Sequence, residues 1–280
     1  MDHLDRLIAL ALDEDLGAAG DVTTRALVPP EARGLAELWV KEDLVLAGLD
    51  AFVRTFRHVD PEVEIELQAR DGEFIRSKAV IATLRGRLSS LLIGERTALN
   101  LIQRACGIAT LSKRAAEAVA GTRLKVLDTR KTPPGMRGLA KDAVRAGGAS
   151  NHRFGLFDGV LIKDNHIAAV GGSVREALRR AKQNAPRLVK IEIEVTTLEQ
   201  LDEVLDEGAD VVMLDNMNDD QIREAVKRAN GRVQLEVSGG ITLERLPLLG
   251  KLGVDFVSMG ALTHSARAMD LSLEIEIAKS

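Results

Sequence analysis

Positively charged side chains are concentrated in residues 128–166 of a chain that is acidic overall. This stretch holds seven Lys or Arg residues and four Asp residues, a balance of +3, whereas all 280 residues have a formal net charge of −4. Arginine binds carboxylates and phosphates through paired hydrogen bonds, and lysine supplies a compact positive charge. Any one of them could be a solvated surface charge, but their grouping predicts a site for a small, highly anionic ligand. The cations are Arg130, Lys131, Arg137, Lys141, Arg145, Arg153 and Lys163.

Carboxylates follow these cations along the chain and predict a second part of the same site. In the segment KIEIEV, the alternation of a strand places Glu192 and Glu194 on one face. Mg²⁺ prefers one or two carboxylates together with substrate phosphates, so these residues and Asp215 predict a magnesium or ribose-hydroxyl site. The alternative is an internal ion pair with one of two lysines, Lys163 or Lys190.

Small residues follow the last two strand-like segments. Glycine allows a phosphate to approach the backbone closely, with amide N–H groups as donors. Phosphate sites in β/α barrels commonly lie at the last two strands. We therefore expect a phosphate-binding site formed by Ser238, Gly239, Gly240, Gly260 and Ala261.

These chemical groups lie at the ends of short β-branched segments that alternate with helical patterns from about residue 124 onward. Such alternation predicts parallel strands joined by helices. Glu194, Asn216, Ser238 and Gly260 are each 22 residues apart, which favours a shortened β/α barrel over a doubly wound sheet. Functional groups in such barrels lie at the C-terminal ends of the strands. The predicted strands lie within 124–129, 159–164, 188–195, 211–216, 233–239 and 256–261.

Two of the intervening helices carry sequence signals for their first residues. Ser173 with Glu176, and Thr196 with Glu199, have the spacing of a capping box. We expect helices to begin at both places.

The first part of the chain has a different pattern. Strand-like segments at 35–41, 62–67 and 79–86 are mixed with helical stretches near 50–57 and 94–120. This mixture predicts an α+β domain over residues 1–105, followed by a barrel domain over 106–269. We expect the C-terminal tail, 270–280, to pack with the N-terminal domain.

The composition excludes several classes of protein. One cysteine, Cys106, cannot form an internal disulfide or a thiolate metal site, and it fits a reducing cytoplasm. With 2% aromatic residues and an acidic balance, the chain is not expected to bind nucleic acid. The longest apolar runs are strand-sized, and the N-terminus lacks a signal-peptide pattern, so we expect neither membrane insertion nor secretion.

The motifs themselves resemble the quinolinate phosphoribosyltransferase family, also called nicotinate-nucleotide pyrophosphorylase (carboxylating). The segments DTRKTPPGMR, GGASNHRFGLFDGVLIKDNHI, VVMLDN, EVSGGI and VSMGALTHS carry the resemblance. It extends through EDLGAAGDVTT, VKEDLVLAGL and GERTALNLIQRACGIAT in the first half, and through LSLEIE near the end. Effectively the whole chain is similar to this family.

The resemblance implies a fold and an activity. The fold is an α/β class with an open, incomplete barrel of about seven strands and an N-terminal α+β domain. The reaction converts quinolinate and 5-phosphoribosyl 1-pyrophosphate to nicotinate mononucleotide, pyrophosphate and CO₂ in NAD biosynthesis, with Mg²⁺ required. Family members are homodimers in which the partner completes each active site, so the resemblance implies a homodimer or a higher homo-oligomer.

The resemblance also implies a role for individual residues. Arg104 would reach into the active site of the partner, and Lys131 would help to hold pyrophosphate. Glu192 and Asp215 would contact the metal and the ribose hydroxyls, and with Lys163 they are the expected catalytic residues. The quinolinate pocket would be lined by Arg130, His152, Arg153 and Lys163. Further substrate-binding residues are expected in the strand-end segments: Thr129, Ser238, Gly239, Gly240, Gly260, Ala261 and His264.

Three positions depart from the family pattern. The family leads us to expect Gly where Ala149 stands, Thr where Pro133 stands, and often Ser where Cys106 stands. Ala149 is the most sensitive position, because a backbone with positive φ would be strained by a Cβ atom. None of the three changes removes a charged group.

Other functions are compatible with parts of the pattern. A paralogue with the same fold, such as the molybdenum-associated relatives, could act on another anionic acceptor, but LIKDNH after HRFGLFD argues against it. A Schiff-base aldolase could use Lys163 at a strand end as its nucleophile. A barrel that only binds a phosphometabolite would leave the combined cation and carboxylate clusters unexplained.

Overall fold

The computed structural model of the chain describes residues 2–277. The elements of the first half are α1 (His3–Leu16), α2 (Val22–Leu27), β1 (Arg33–Val40), β2 (Leu44–Val45), α3 (Leu49–Val59), β3 (Glu64–Leu67), β4 (Phe74–Ile75), β5 (Val80–Arg87) and α4 (Leu88–Ala118). Those that follow, up to the fourth strand of the barrel, are β6 (Lys125–Leu127), α5 (Arg137–Ala146), β7 (Val160–Ile162), α6 (Asp164–Ala169), α7 (Val174–Asn184), β8 (Ile191–Val195), α8 (Leu198–Glu207) and β9 (Val211–Asp215). The remainder are α9 (Asp219–Ala229), β10 (Gln234–Ser238), a 3₁₀ turn (Leu243–Arg245), α10 (Leu246–Leu252), β11 (Phe256–Ser258), α11 (Ala261–His264) and β12 (Leu271–Ile277).

The chain divides into two compact units, and the division differs from the predicted boundary after residue 105. Unit 1 comprises residues 1–113, 132–148 and 265–280, and unit 2 comprises 114–131 and 149–264. The predicted boundary and the observed division after residue 113 both fall inside α4, a 31-residue helix. The inclusion of 132–148 in unit 1 was not predicted, because membership of a unit depends on tertiary contacts.

Unit 1 is built around an antiparallel sheet with the strand order β12-β1-β5-β3. The C-terminal strand β12 pairs with β1 from Gly34↔Ile277 to Val40↔Leu271, so the described part of the tail belongs to this unit. Residues 278–280 of the predicted tail lie outside the described residues. The buried core includes Leu38 from β1, Phe52 and Phe56 from α3, and Leu84 from β5, all with no exposed surface.

Unit 2 contains a six-stranded parallel sheet with the order β6-β11-β10-β9-β8-β7. All six predicted barrel strands are present, and the alternation with helices is confirmed. Between β6 and β7 the sheet is open, and Leu127 forms one parallel bridge with Ser150. A seventh strand position is therefore represented by a single bridging residue, as expected for an open barrel.

The two predicted helix starts differ in outcome. Ser173 caps α7, and its hydroxyl accepts the Glu176 backbone N–H at 3.2 Å. The second prediction is wrong by one residue, because the cap of α8 is Thr197, whose hydroxyl accepts the backbone N–H of Gln200. Adjacent threonines are equally good capping residues, so the sequence could not distinguish them.

Among residues 2–277, no helix combines the length and the apolar character needed to cross a bilayer.

Candidate active site

A cavity of about 210 Å³ opens at the C-terminal ends of the barrel strands in unit 2. We call it the mouth cavity. Its lining contains residues that follow β6 and β7 and the last residue of β10, so side chains distant in sequence meet at one edge of the sheet. Seven of the predicted site residues line it: Thr129, Arg130, Lys131, His152, Arg153, Lys163 and Ser238. The remaining lining residues are Leu161, Met213 and Ser258.

Arg153 lies beside Arg130 at this cavity. The Arg153 guanidinium is half-buried and donates a hydrogen bond from Nη1 to the carbonyl of Gly159 at 2.8 Å. Its pKa lies below the usual arginine value because of burial first and repulsion from Arg130 second. Two guanidinium groups held close together in this way create a strong preference for an anionic ligand.

Lys163, at the end of β7, forms an ion pair with Glu194 of β8. The alternative of an internal ion pair is therefore realised for Glu194. The lysine side chain remains 44% exposed, so its ammonium group is accessible from the cavity. His166 accepts the Lys163 backbone N–H on Nδ1 at 2.9 Å and so helps to fix the first turn of α6.

Below the mouth cavity, three side chains from different parts of the barrel come together. The His152 Nε2 atom lies 2.9 Å from Glu192 Oε2 and 3.7 Å from Glu236 Oε2. One ligand atom from each of the three residues lies within 4.8 Å of the others. Burial and the neighbouring Glu192 carboxylate raise the pKa of Glu236 to about 8.

Asp128 supports this arrangement from the end of β6. Its fully buried carboxylate accepts the Asn151 side-chain amide at 2.7 Å and the His152 backbone N–H at 2.8 Å. Charge-assisted hydrogen bonds of this kind hold the Asn-His-Arg turn in one conformation.

The predicted phosphate-binding residues also approach one another. Gly260 is so close to its neighbours that an added Cβ would lie 3.1 Å from His264 Nε2 and 3.2 Å from Lys131 Cδ. At Gly239, φ is +102°, and an added Cβ would lie 2.2 Å from Asn216 Oδ1. The conformation at Gly239 requires glycine, whereas Gly260 has an ordinary φ and lies next to the side chains of a lysine and a histidine.

Comparisons with known proteins identify the family. A family model described as the N-terminal domain of quinolinate phosphoribosyl transferase matches residues 21–106, and the model of its C-terminal domain matches 108–274. The chain belongs to this family.

Individual relatives cover nearly the whole chain. A probable nicotinate-nucleotide pyrophosphorylase (carboxylating) from Bacillus subtilis is 43% identical over 99% of this chain and 96% of its own length. A crystal structure described as NadC from Streptococcus pyogenes superposes with a TM-score of 0.93 at 40% identity, covering 99% of this chain and 97% of that one. The enzyme from Francisella tularensis gives a TM-score of 0.91 at 38% identity, covering 98% and 96%.

For a quinolinate phosphoribosyltransferase, the strand register is informative about the predicted metal ligands Glu192 and Asp215. Glu192 is paired with Val211 on β9, four residues before Asp215. At a rise of about 3.3 Å per residue, the two are separated by roughly 13 Å along the strands. A single small cation cannot bind both directly, so this shared site does not fit the structure. Glu194 is paired with Met213, two residues before Asp215, and is the glutamate nearer the mouth.

Glu236 and Asp128 are site residues that the sequence analysis missed. Glu236 stands in the apolar segment VQLEVSG, two residues before Ser238 and on the same face of β10. An acidic residue in an apolar strand was the signal that singled out Glu192, and the same signal is present here. Asp128 was counted only as a charge, because its partners Asn151 and His152 are more than 20 residues away.

Arg104 belongs to unit 1, where its guanidinium donates to the carbonyl of Ala266. Its expected role across a subunit interface stays a prediction.

Two of the three departures from the family pattern, Ala149 and Cys106, are accommodated. Among the described residues, Ala149 is absent from those with positive φ, and the preceding Gly148 adopts φ +85° instead. Cys106 is fully buried, and burial raises its pKa to about 12, so it behaves as a small apolar residue.

Proposed function

We propose that the protein transfers the phosphoribosyl group of 5-phosphoribosyl 1-pyrophosphate to quinolinate, with loss of CO₂. The products are nicotinate mononucleotide, pyrophosphate and CO₂. The observation that carries this proposal is the convergence of Arg130, Arg153 and Lys163 on one cavity. Lys131, next to Gly260, and Ser238, which precedes Gly239, line the same cavity. A ring dicarboxylate and a phosphorylated sugar are the anions that such a site can hold together.

The cations provide binding and orientation for quinolinate. The two guanidinium groups can bind its carboxylates, while Lys163 enters the same cavity from the C-terminal end of β7. Holding the ring nitrogen against the anomeric carbon converts a bimolecular reaction into an effectively unimolecular one. After transfer, the C–CO₂ bond breaks and the N-ribosylated ring accepts its electron pair, while Lys163 stabilises the developing negative charge. A proton from water then replaces the lost carboxylate on that ring carbon.

The phosphate groups are bound at the other side of the mouth. Backbone amides at Gly239, Gly240 and Gly260 hold the 5′-phosphate, with Ser238, Ala261 and His264 beside them. Lys131 holds the departing pyrophosphate, and the position of its side chain next to Gly260 supports this role.

We also propose that the protein binds Mg²⁺, with Glu194 in place of Glu192 as the ligand beside Asp215. The carboxylates of Asp215 and Glu194 lie at the ends of neighbouring strands and fit the preference of Mg²⁺ for oxygen ligands with retained waters. When bound, the ion neutralises charge on the pyrophosphate. We assign Glu192 no direct contact with it.

One assay tests the reaction. The protein is incubated with Mg²⁺ and 5-phosphoribosyl 1-pyrophosphate, and either quinolinate or nicotinate is added. We expect CO₂ and pyrophosphate in equal amounts with quinolinate only. Turnover with nicotinate alone would overturn the proposed substrate.

A Schiff-base aldolase is the second candidate, and the structure disfavours it. The nucleophilic lysine of such an enzyme is neutral in a desolvated pocket, whereas Lys163 is 44% exposed and paired with Glu194. Borohydride trapping with an aldehyde or ketone substrate would reveal a covalent adduct if this candidate were correct.

We further propose a cytoplasmic homodimer with Arg104 contributed across the interface. Mixing Arg104→Ala with Lys163→Ala protein tests this, because a mixed dimer then contains one intact site. Recovery of activity above that of either variant alone supports the shared site, and no recovery from dimers shown to exchange subunits contradicts it.

A further inference from the structure

Both ring nitrogens of His152 are bound to protein groups. The Arg153 backbone N–H donates to Nδ1 at 2.8 Å. Because a backbone N–H can only donate, Nδ1 carries no proton and the ring proton must lie on Nε2. That atom faces Glu192 Oε2 at 2.9 Å, so the hydrogen bonds assign the Nε2–H tautomer.

The two glutamates below His152 are costly to bury. The side chains of Glu192 and Glu236 are 10% and 2% exposed. The Oε1 atom of each is buried with no hydrogen-bond partner among the described residues. A buried carboxylate oxygen without a partner destabilises the fold, which suggests that this pair has a role other than stability.

Neither glutamate is among the described residues that line the mouth cavity. They line a second cavity of about 320 Å³ on the other side of His152 and Arg153. Their effect on a ligand in the mouth cavity must therefore pass through the Asn-His-Arg turn.

The contacts form a continuous connection from the barrel interior to the Arg153 guanidinium. Glu192 holds the His152 ring, the ring holds the Arg153 backbone, and Asp128 holds the His152 backbone from the other side. The guanidinium is then held at the cavity by the Gly159 carbonyl. A small rotation of the His152 imidazole would therefore move the Arg153 guanidinium away from a carboxylate bound in the mouth cavity.

We propose that Glu192 and Glu236 are positioning residues that hold Arg153 against a substrate carboxylate by fixing the tautomer and orientation of His152. The substrate part of this inference rests on the proposed function. Glu192 acts directly on Nε2, and Glu236 faces the same nitrogen at 3.7 Å from β10, which is separated from β8 by β9.

Kinetics of substituted proteins test the proposal. Glu192→Leu removes the acceptor, and we expect the KM for quinolinate to rise about tenfold or more, as for loss of a hydrogen bond to a charged group. The KM for 5-phosphoribosyl 1-pyrophosphate should change less than threefold. Glu192→Gln keeps an acceptor oxygen and should restore the quinolinate KM to within about threefold of the wild type. For Glu236→Leu we expect a smaller increase than for Glu192→Leu, because Glu236 is farther from the ring.

Val237→Ala is the matched control for stability. Val237 is fully buried on β10 next to Glu236 and faces the opposite side of the strand, so its truncation destabilises the barrel without touching His152. Equal effects of Val237→Ala and Glu192→Leu on the quinolinate KM would overturn the positioning role.

Nitrogen-15 NMR of the unliganded wild type measures the tautomer of the His152 ring directly. This measurement requires neither enzymatic activity nor a substituted protein that folds. We expect the Nε2–H tautomer. An Nδ1–H ring would overturn the inference even if the enzyme is active. Conversely, the expected tautomer in a protein without quinolinate turnover would leave the geometry in place and refute the proposed function.

Discussion

Each unit contains a carboxylate whose side chain is only 2% exposed, and the two are treated very differently. In unit 1, Asp60 accepts two hydrogen bonds from the Arg87 guanidinium at 2.9 Å, one from the Ser90 hydroxyl at 2.7 Å and one from the Glu62 backbone N–H at 3.0 Å. These partners hold the pKa of Asp60 far below its usual range. Its negative charge is fully compensated.

In unit 2, Glu236 has the opposite environment. One of its oxygens has no hydrogen-bond partner among the described residues, and burial together with the neighbouring Glu192 carboxylate raises its pKa to about 8. The two units therefore use buried carboxylates in different ways. In unit 1 the buried Asp60 has hydrogen-bond partners and stabilises the fold. In unit 2 Glu192 and Glu236 are buried beneath the candidate active site, each with one oxygen that has no hydrogen-bond partner among the described residues.

The largest expected effect is a loss of activity in unit 2 that is accompanied by little loss of stability. Lys163→Ala should lower kcat/KM with quinolinate about a hundredfold, because a charge-assisted contact with the reacting group is lost. The free energy of unfolding should change by less than about 1 kcal/mol, since the ion pair with Glu194 is partly exposed. Steady-state kinetics and urea denaturation measure the two quantities. Lys190→Ala, an exposed lysine just before the same strand as Glu194, is the control and should stay within threefold of wild type.

In unit 1 we expect the reverse, a loss of stability without a loss of activity. Asp60→Ala should cost about 2 to 3 kcal/mol of unfolding free energy, because several hydrogen bonds to a buried charge are lost. The kinetic constants should be unchanged. Glu62→Ala removes a carboxylate that is 79% exposed and 3.4 Å from the same Arg87, and should cost less than about 0.5 kcal/mol. Equal losses for the two substitutions would contradict the distinction between compensated burial and surface pairing.

Backbone conformation at the phosphate-binding residues gives a finer test. Gly239→Ala should raise the KM for 5-phosphoribosyl 1-pyrophosphate about tenfold, since the new Cβ would displace Asn216 and strain a backbone at φ +102°. Gly240→Ala meets no atom within 4 Å and should have a smaller effect, although φ is +57° there. If the two substitutions raise the KM for 5-phosphoribosyl 1-pyrophosphate equally, crowding against Asn216 is not the cause of the increase.

A further prediction concerns the pH dependence of stability, where the two carboxylates have opposite signs. The stabilisation from Asp60 is complete above its ordinary pKa of 3.8 and is lost as the pH falls from there toward the lowered pKa of the folded state. Glu236 holds its proton more tightly in the folded state, so stability decreases as the pH rises from 4.5 to about 8.

Glu236→Gln should remove that decrease. Denaturation midpoints at pH 5 and pH 8 should differ less in Glu236→Gln than in the wild type, and the exposed Glu66→Gln should behave as the wild type does. An unchanged pH 5 to pH 8 difference in Glu236→Gln would show that this carboxyl is ionised in the folded protein.

Much of the fold and many site residues could be predicted from the sequence. The barrel strands are short β-branched segments separated by helical patterns, and these local preferences were sufficient to locate all six. Arg130, Arg153 and Lys163 were predicted because seven cations are grouped in one segment beside glycines and at strand ends. β12 was missed as a strand, although the tail was expected to join the N-terminal domain, because its pairing with β1 connects residues more than 200 positions apart.

The grouping of the acidic residues could not be predicted. Glu192 and Glu194 are equivalent in a period-two pattern, and only the register with β9 shows that Glu194 is the one nearer Asp215. Glu236 becomes meaningful when β10 brings it beneath His152, and Asp128 when the open side of the barrel brings the Asn-His-Arg turn back to it.

The sequence alone determined which side chains can bind anions, which segments form strands, and that the strand ends carry the chemistry. These properties depend on residue type and local periodicity. The tertiary structure decided which carboxylate faces the mouth, which one holds His152, and which buried acid is compensated. Those outcomes depend on strand register and on contacts between distant segments, which set the local dielectric and the available hydrogen-bond partners.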